Sequence, residues 1–125
     1  MEVLYRSTRG NGSTVTASNA ILKGLSEDGG LFVPDQIPVL DVPMEQLAQM
    51  SYQEVAYEVM SRFLTDFTEE ELKKCIQSAY DKKFDTDVIA PLVKADGAYY
   101  LELFHGSTIA FKDMALSILP YLLTT

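Results

Sequence analysis

Lys112 has the neighbours that most invite chemistry. Ile109, Ala115, Leu116, Leu119 and Leu123 lie three, four, seven and eleven residues from it, spacings that a helix gathers onto one face. A lysine on such a stripe loses hydration of its charged form, so its pKa falls and a neutral, nucleophilic amine becomes available. Schiff-base chemistry requires that amine. The other lysines lack the setting: Lys23 ends a short helical pattern, Lys73 and Lys74 lie off an apolar face, Lys82 and Lys83 sit in a charged connector, and Lys94 borders a turn. On pattern alone, the commoner fate of a lysine in a stripe is to run its stem along apolar surface and keep its ammonium in water.

Other residues could serve the same site. Phe111 precedes the lysine and is either a packing partner for a ligand or a core residue, since helical spacing turns it away from the lysine's face. His105 can donate to a phosphate or serve the turn. Arg6 and Arg9 can meet an anionic substrate or stay solvated. Asp113, in a first helical turn, complements the helix dipole. Cys75, the only cysteine, reads as core. No metal is expected.

The elements that must position these residues are legible in part. Val3 to Tyr5 predicts a short strand, and Ser7 to Ser13 a loop. Thr16 caps a helix over Ala17 to Lys23, and Gly24 with Leu25 closes it with a left-handed residue and an apolar contact. Leu31 to Val33, stopped by Pro34, predicts a strand at a sheet edge, and Pro34, Pro38 and Pro43 predict extended chain after it. Ser51 with Glu54, and Thr68 with Glu71, are capping boxes flanked by apolar staples. They start helices running to about Leu64 and Tyr80, with Tyr52, Val55, Val59 and Phe63 inward on the first and Leu72, Cys75, Ile76 and Ala79 on the second. Asp81 to Asp87 is a charged connector. Leu92 to Lys94 and Ala98 to Phe104 pair as a hairpin around Asp96-Gly97. After His105-Gly106-Ser107-Thr108, Ser107 or Thr108 caps a helix from near Ile109, which Pro120 kinks or ends.

Around the lysine the chain reads Leu101-Glu102-Leu103-Phe104-His105-Gly106-Ser107-Thr108-Ile109-Ala110-Phe111-Lys112-Asp113. It resembles the cofactor-lysine motif of threonine synthases, Glu-Leu-Phe-His-Gly-Pro-Thr, an aliphatic residue, then Ala-Phe-Lys-Asp. Tyr5-Arg6-Ser7-Thr8-Arg9-Gly10 and Asp28-Gly29-Gly30-Leu31-Phe32-Val33-Pro34 resemble the N-terminal signatures of the same family. Ser107 stands where the family has proline, which restores an N–H and loosens the turn.

The resemblance implies an α+β fold: short N-terminal strands, a helical middle, a β-hairpin and a helix carrying Lys112. That is the front of a fold type II, tryptophan synthase β-like enzyme. It implies an N-terminal domain over residues 1–90 and the start of a pyridoxal-phosphate catalytic domain over 91–125. The implied parent is a lyase of threonine biosynthesis that converts O-phospho-L-homoserine and water to L-threonine and phosphate. Lys112 would hold pyridoxal phosphate through its ε-amine and move protons at the substrate's α and β carbons, with Phe111 beside the cofactor and His105, Arg6 and Arg9 toward the substrate. The family's glycine-rich phosphate loop and the group that bonds the pyridine nitrogen are expected beyond residue 125, so this segment is expected to be inactive alone. Two alternatives stand: a phospholyase releasing a keto acid from the same substrate, and a non-catalytic interaction module.

Composition bounds these expectations. A chain of 125 residues with 47% hydrophobic content supports one core. A net charge of −8 with no basic cluster argues against nucleic acid. One cysteine marks no oxidising compartment, the polar Met1–Gly10 segment lacks the apolar core of a secretory signal, and no apolar run reaches a membrane span. Cytoplasm is the expected location. The apolar face of Met114 to Leu123 has nothing after it to cover it, which implies folding back, fraying or self-association.

Overall fold

The computed structural model describes residues 2–10 and 12–125; Met1 and Asn11, the latter within the expected Ser7–Ser13 loop, lie outside them. The first sheet is three-stranded, with β1 (Tyr5–Ser7) between β2 (Thr14–Val15) and β3 (Phe32–Pro34), all antiparallel. The first strand starts at Tyr5, later than expected, because the register is set by its partners: Tyr5 faces Pro34, Arg6 faces Val33 and Ser7 faces Phe32. Pro34 sits at the outer edge, where a missing N–H costs no ladder bond. Ser7 also fixes the approach of the following turn. Its hydroxyl donates to Asp28 (2.7 Å), and a Cβ on Gly30 would lie 2.1 Å from its oxygen, so position 30 admits only glycine.

Helix α1 (Ala17–Lys23) has the expected bounds and the expected Thr16 cap. Its end differs. Gly24 has φ 69° and ψ −54°, and the Leu25 N–H donates to the Lys23 carbonyl at 2.8 Å, a tight three-residue turn that leaves Leu25 exposed without the expected apolar contact. A short helix, α2 (Met44–Leu47), follows Pro43 where extended chain was expected. Proline's fixed φ is compatible with the start of a helix, and Glu45 in the first turn favours it.

Helices α3 (Tyr52–Phe63) and α4 (Glu69–Ala79) carry the structure, and both capping boxes form in full. On α4, Leu72, Cys75, Ile76 and Ala79 are buried as expected. On α3 the inward face is turned by one ridge: Tyr52, Ala56, Tyr57, Met60 and Leu64 pack on the core, and Val59 is exposed. Tyr52, Ala56, Met60 and Leu64 form one i, i+4 row, and that row meets α4. The first sheet is tied to the end of α3, where the Tyr5 hydroxyl donates to the Phe63 carbonyl (2.9 Å) and the Val3 N–H to Thr65 (3.0 Å).

Strands β4 (Leu92–Ala95) and β5 (Ala98–Leu101) form the hairpin, with Asp96 at φ 49° and Gly97 at φ 78°, the two left-handed residues a two-residue loop needs. The expected single helix is two: α5 (Asp113–Leu116) and α6 (Leu119–Thr124), broken at Ser117–Ile118 with Pro120 in the first turn of the second. Pro120 has no N–H for the Leu116 carbonyl, and the chain restarts on bonds to the Ile118 carbonyl. Ile118 joins Leu72, Cys75, Ile76, Ala79, Tyr80, Phe84 and Ile89 in one core, so the C-terminal segment folds back on α4.

Ile76, 1% exposed, should lose about 2–5 kcal/mol on truncation to alanine, whereas Ser51→Ala removes one cap and about 1 kcal/mol. Urea unfolding followed by circular dichroism measures both; equal losses would place the core elsewhere.

Candidate active site

The segment from Gly106 to Lys112 is a run of turns, not the first turns of a helix. Ile109 takes φ 62°, a left-handed conformation that for a β-branched residue costs about 1–3 kcal/mol and must be held by its surroundings. The holding group is Asp113, 5% exposed, whose Oδ2 accepts the Thr108 N–H (2.7 Å) and whose Oδ1 accepts the Thr108 hydroxyl (2.6 Å). These bonds from Thr108 keep the carboxyl below its ordinary pKa. The expected cap is therefore reversed: Thr108 does not cap a helix from Ile109, and Asp113 caps back onto Thr108. Beneath this clamp Gly106 has no room for a side chain, since a Cβ would lie 2.5 Å from that of Asp113.

Lys112 precedes α5 at φ −62° and ψ −21°, and its carbonyl accepts the N–H groups of Ala115 (3.0 Å) and Leu116 (2.8 Å). The residues of the expected apolar stripe do not lie on one continuous helix, and they are exposed. Ile109, Lys112, Ala115, Leu116, Leu119 and Leu123 are exposed, while Asp113, Ile118 and the partly buried Met114, Tyr121 and Leu122 face the protein. The expected burial of Lys112 is thus corrected: its desolvation is not supplied by the described residues. Its side chain borders a hollow of ≈ 620 Å³ walled by Tyr52 of α3, Leu101 and Leu103 of the second hairpin strand and its extension, and Phe111 and Met114. That volume is in the range of small-molecule sites. A larger hollow, ≈ 790 Å³, lies under Gln36–Asp41 but holds no amine, and its Arg62 is already paired with Asp41 and Glu58.

Phe111 is 67% exposed, which removes the core alternative, and it lines the same hollow as Lys112. His105 lies outside that lining. Its Nε2 faces Glu102 (2.8 Å) and its Nδ1 faces Asp85, and with acceptors on both sides the ring is satisfied when both nitrogens donate. The Glu102 and Asp85 bonds raise its pKa above the ordinary histidine value. The Asp85 N–H also donates to the His105 carbonyl (3.1 Å), fastening the charged connector to the lysine loop. Arg6 and Arg9 belong to the first sheet and the turn after β1; Arg9 donates to the Asp28 carbonyl (3.0 Å) and Arg6 is exposed. The structure brings Phe111 and Lys112 together and leaves both arginines outside the hollow.

Two tyrosines tie the helical middle to the lysine segment. Tyr52 and Tyr80 meet edge to face at 4.9 Å, and the Tyr80 hydroxyl donates to the Met114 carbonyl on α5 (2.6 Å). Burial raises the pKa of both, so both stay neutral. Tyr52 was visible in the sequence as an inward residue. Its place beside Lys112 was not, because that depends on how α3 meets the loop. Asp85 and Glu102 were likewise unassigned, with only their proximity to His105 in the motif to mark the second.

A raised native pKa means His105 stabilises the fold fully below the unfolded histidine value, about 6.5, and loses that contribution as pH rises through the native value. The difference in Tm between the native chain and His105→Asn should be largest near pH 6 and shrink above it. A difference constant from pH 6 to pH 9 would show that the ring acts by packing alone.

Among the described residues no group of three or more His, Cys, Asp or Glu is placed to hold a metal ion, and no helix is long and apolar enough to cross a membrane. A family model described as threonine synthase N terminus matches residues 4–80. The threonine synthase of Schizosaccharomyces pombe is 43% identical over 122 residues, covering 94% of this chain and 24% of that protein. A crystal structure of pyridoxal-phosphate-bound threonine synthase from Brucella melitensis superimposes with a TM-score of 0.85 at 36% identity, covering 97% of this chain and 26% of that one. A yeast threonine synthase structure gives a TM-score of 0.86 at 36% identity, over 95% and 25%. The chain spans about a quarter of the length of the curated relatives it matches. With the family model covering more than half of its residues and the likeness in structure running through Lys112, this chain belongs to the threonine synthase N-terminal family.

Proposed function

We propose that this chain is the front of a fold type II pyridoxal-phosphate lyase that makes L-threonine and phosphate from O-phospho-L-homoserine and water, with Lys112 as its cofactor lysine. The observation that carries this is an exposed amine at the lip of an apolar hollow walled by Tyr52, Leu101 and Phe111, within a motif resembling that of the family. The lining suits a flat aromatic aldehyde: apolar walls for the ring, one amine, one phenol. Among the described residues the lining holds one cation, Lys112, and no second one for a phosphate.

When bound, pyridoxal phosphate supplies an electron sink for charge developing beside the substrate's amine. The chain's own residues do the rest. Lys112 Nζ would hold the cofactor covalently and, as a neutral amine, would move protons at the substrate's α and β carbons. Phe111 and the hairpin residues exclude water on one side of the amine. Arg6, Arg9 and His105, cationic groups in a chain of net charge −8, are assigned to the anionic substrate after Lys112 in rank. Residues 1–90 form the N-terminal domain and 91–125 open the catalytic domain, a division supported by the separate two-stranded sheet of β4 and β5. The 125 residues alone do not turn over, since among the described residues no phosphate cradle faces the hollow. The enzyme is cytoplasmic, and the C-terminal helices support self-association through the exposed Leu116 of α5 and Leu119 and Leu123 of α6.

Incubation with pyridoxal 5′-phosphate, borohydride reduction and peptide mapping should place the label on Lys112 ahead of the other lysines, without production of threonine or phosphate from phosphohomoserine. Label spread evenly over the surface lysines would refute the cofactor role, and turnover by the isolated chain would refute its inactivity. A keto acid instead of threonine from the longer protein would convert the synthase to a phospholyase.

A further inference from the structure

We propose that Asp113 is a positioning residue for Lys112, acting through the loop rather than on the reacting atoms; this rests on Lys112 being the cofactor lysine. Burying a carboxylate is unfavourable unless its oxygens are hydrogen-bonded. Asp113 meets that condition chiefly through Thr108, which supplies its backbone N–H to Oδ2 and its hydroxyl to Oδ1, with the backbone of Ala110 and Ile109 contributing less. The segment between them holds Ile109 in its left-handed conformation, which the chain would leave if the clamp were cut. Gly106, pressed against Asp113 with 2.6 Å from an added Cβ to Oδ2, closes the clamp from below.

Lys112 lies inside this construction by one peptide bond. Its backbone is fixed on one side by Asp113 and on the other by the first bonds of α5 to its own carbonyl. Its side chain, exposed and without a hydrogen-bond partner among the described residues, is not. A lysine stem is flexible, so where Nζ can reach is set by where the Cα is held. Without the clamp the Cα moves with the loop, and the fraction of time the amine meets the hollow falls. The main core, formed by α3, α4 and Ile118, lies outside the clamp.

The test compares pyridoxal 5′-phosphate labelling of Lys112 with that of Lys94 as internal reference, in the full chain and its variants. Asp113→Ala and Thr108→Val should each lower the Lys112 to Lys94 ratio about tenfold, and Thr108→Ser, which keeps both bonds, should restore it. Amide hydrogen exchange should accelerate at residues 108–112 in the first two variants and match the native chain in the third. Ile76→Val, a core variant melting below the native chain, should keep the native ratio. If Asp113→Ala does not fold, Thr108→Val decides, since it removes only the hydroxyl bond. A native ratio in both clamp variants, or an equal fall in Ile76→Val, overturns the positioning role and leaves the cofactor role standing. Absence of selective Lys112 labelling in the native chain overturns both.

Discussion

One phenol joins the two parts of this chain. Tyr80 ends the core helix α4 with its ring buried between Tyr52 and Phe84, and its hydroxyl donates to the Met114 carbonyl two residues past Lys112. A buried hydroxyl left unmatched would be costly, so the ring that completes the core also determines where the lysine segment docks. The same contact brings Tyr52 to the hollow beside the amine. Helices legible from capping boxes thus set the wall of a site whose chemical residue lies far along the chain. The first sheet is fastened to this body by Tyr5 and Val3 at the end of α3, and the site makes no use of its interior.

What the sequence made legible was local. Ser51 with Glu54, Thr68 with Glu71, Thr16 and Asp96-Gly97 each fix their element through bonds spanning three or four residues, and each formed as expected. The misses are non-local. The inward row of α3 was decided by α4, because the row through Val55 and Val59 and the row through Ala56 and Met60 are both apolar and differ by one ridge. The strand at Thr14–Val15 is two residues long and exists only because β1 lies beside it. The early start of a helix at Ile109 was the reasonable inference from Ser107 and Thr108 as caps. It failed because the Thr108 hydroxyl, which as a cap would accept from an N–H further along, donates instead to the Asp113 carboxylate, which also takes the Thr108 N–H.

The apolar stripe through Lys112 shows the limit of periodicity. Ile109, Leu116, Leu119 and Leu123 are all exposed and are split between a turn and two short helices, while the segment uses Met114, Ile118, Tyr121 and Leu122 to pack inward. Period reports that a face exists; which body covers it depends on the rest of the fold. A segment apolar on both sides has two surfaces to satisfy, and here one of them is met by α4. The other carries the amine.

The placement of strain follows from that division. An isoleucine at positive φ would relax if it were free to, and here it sits between a glycine that admits no Cβ and a carboxylate held by two bonds. Ser107, where the family has proline, adds an N–H and removes a fixed φ from this turn, yet the clamp closes one residue later at Thr108, whose two donors do not depend on position 107. Rigidity at the lysine therefore comes from hydrogen bonds to a buried charge and from exclusion of a side chain at Gly106.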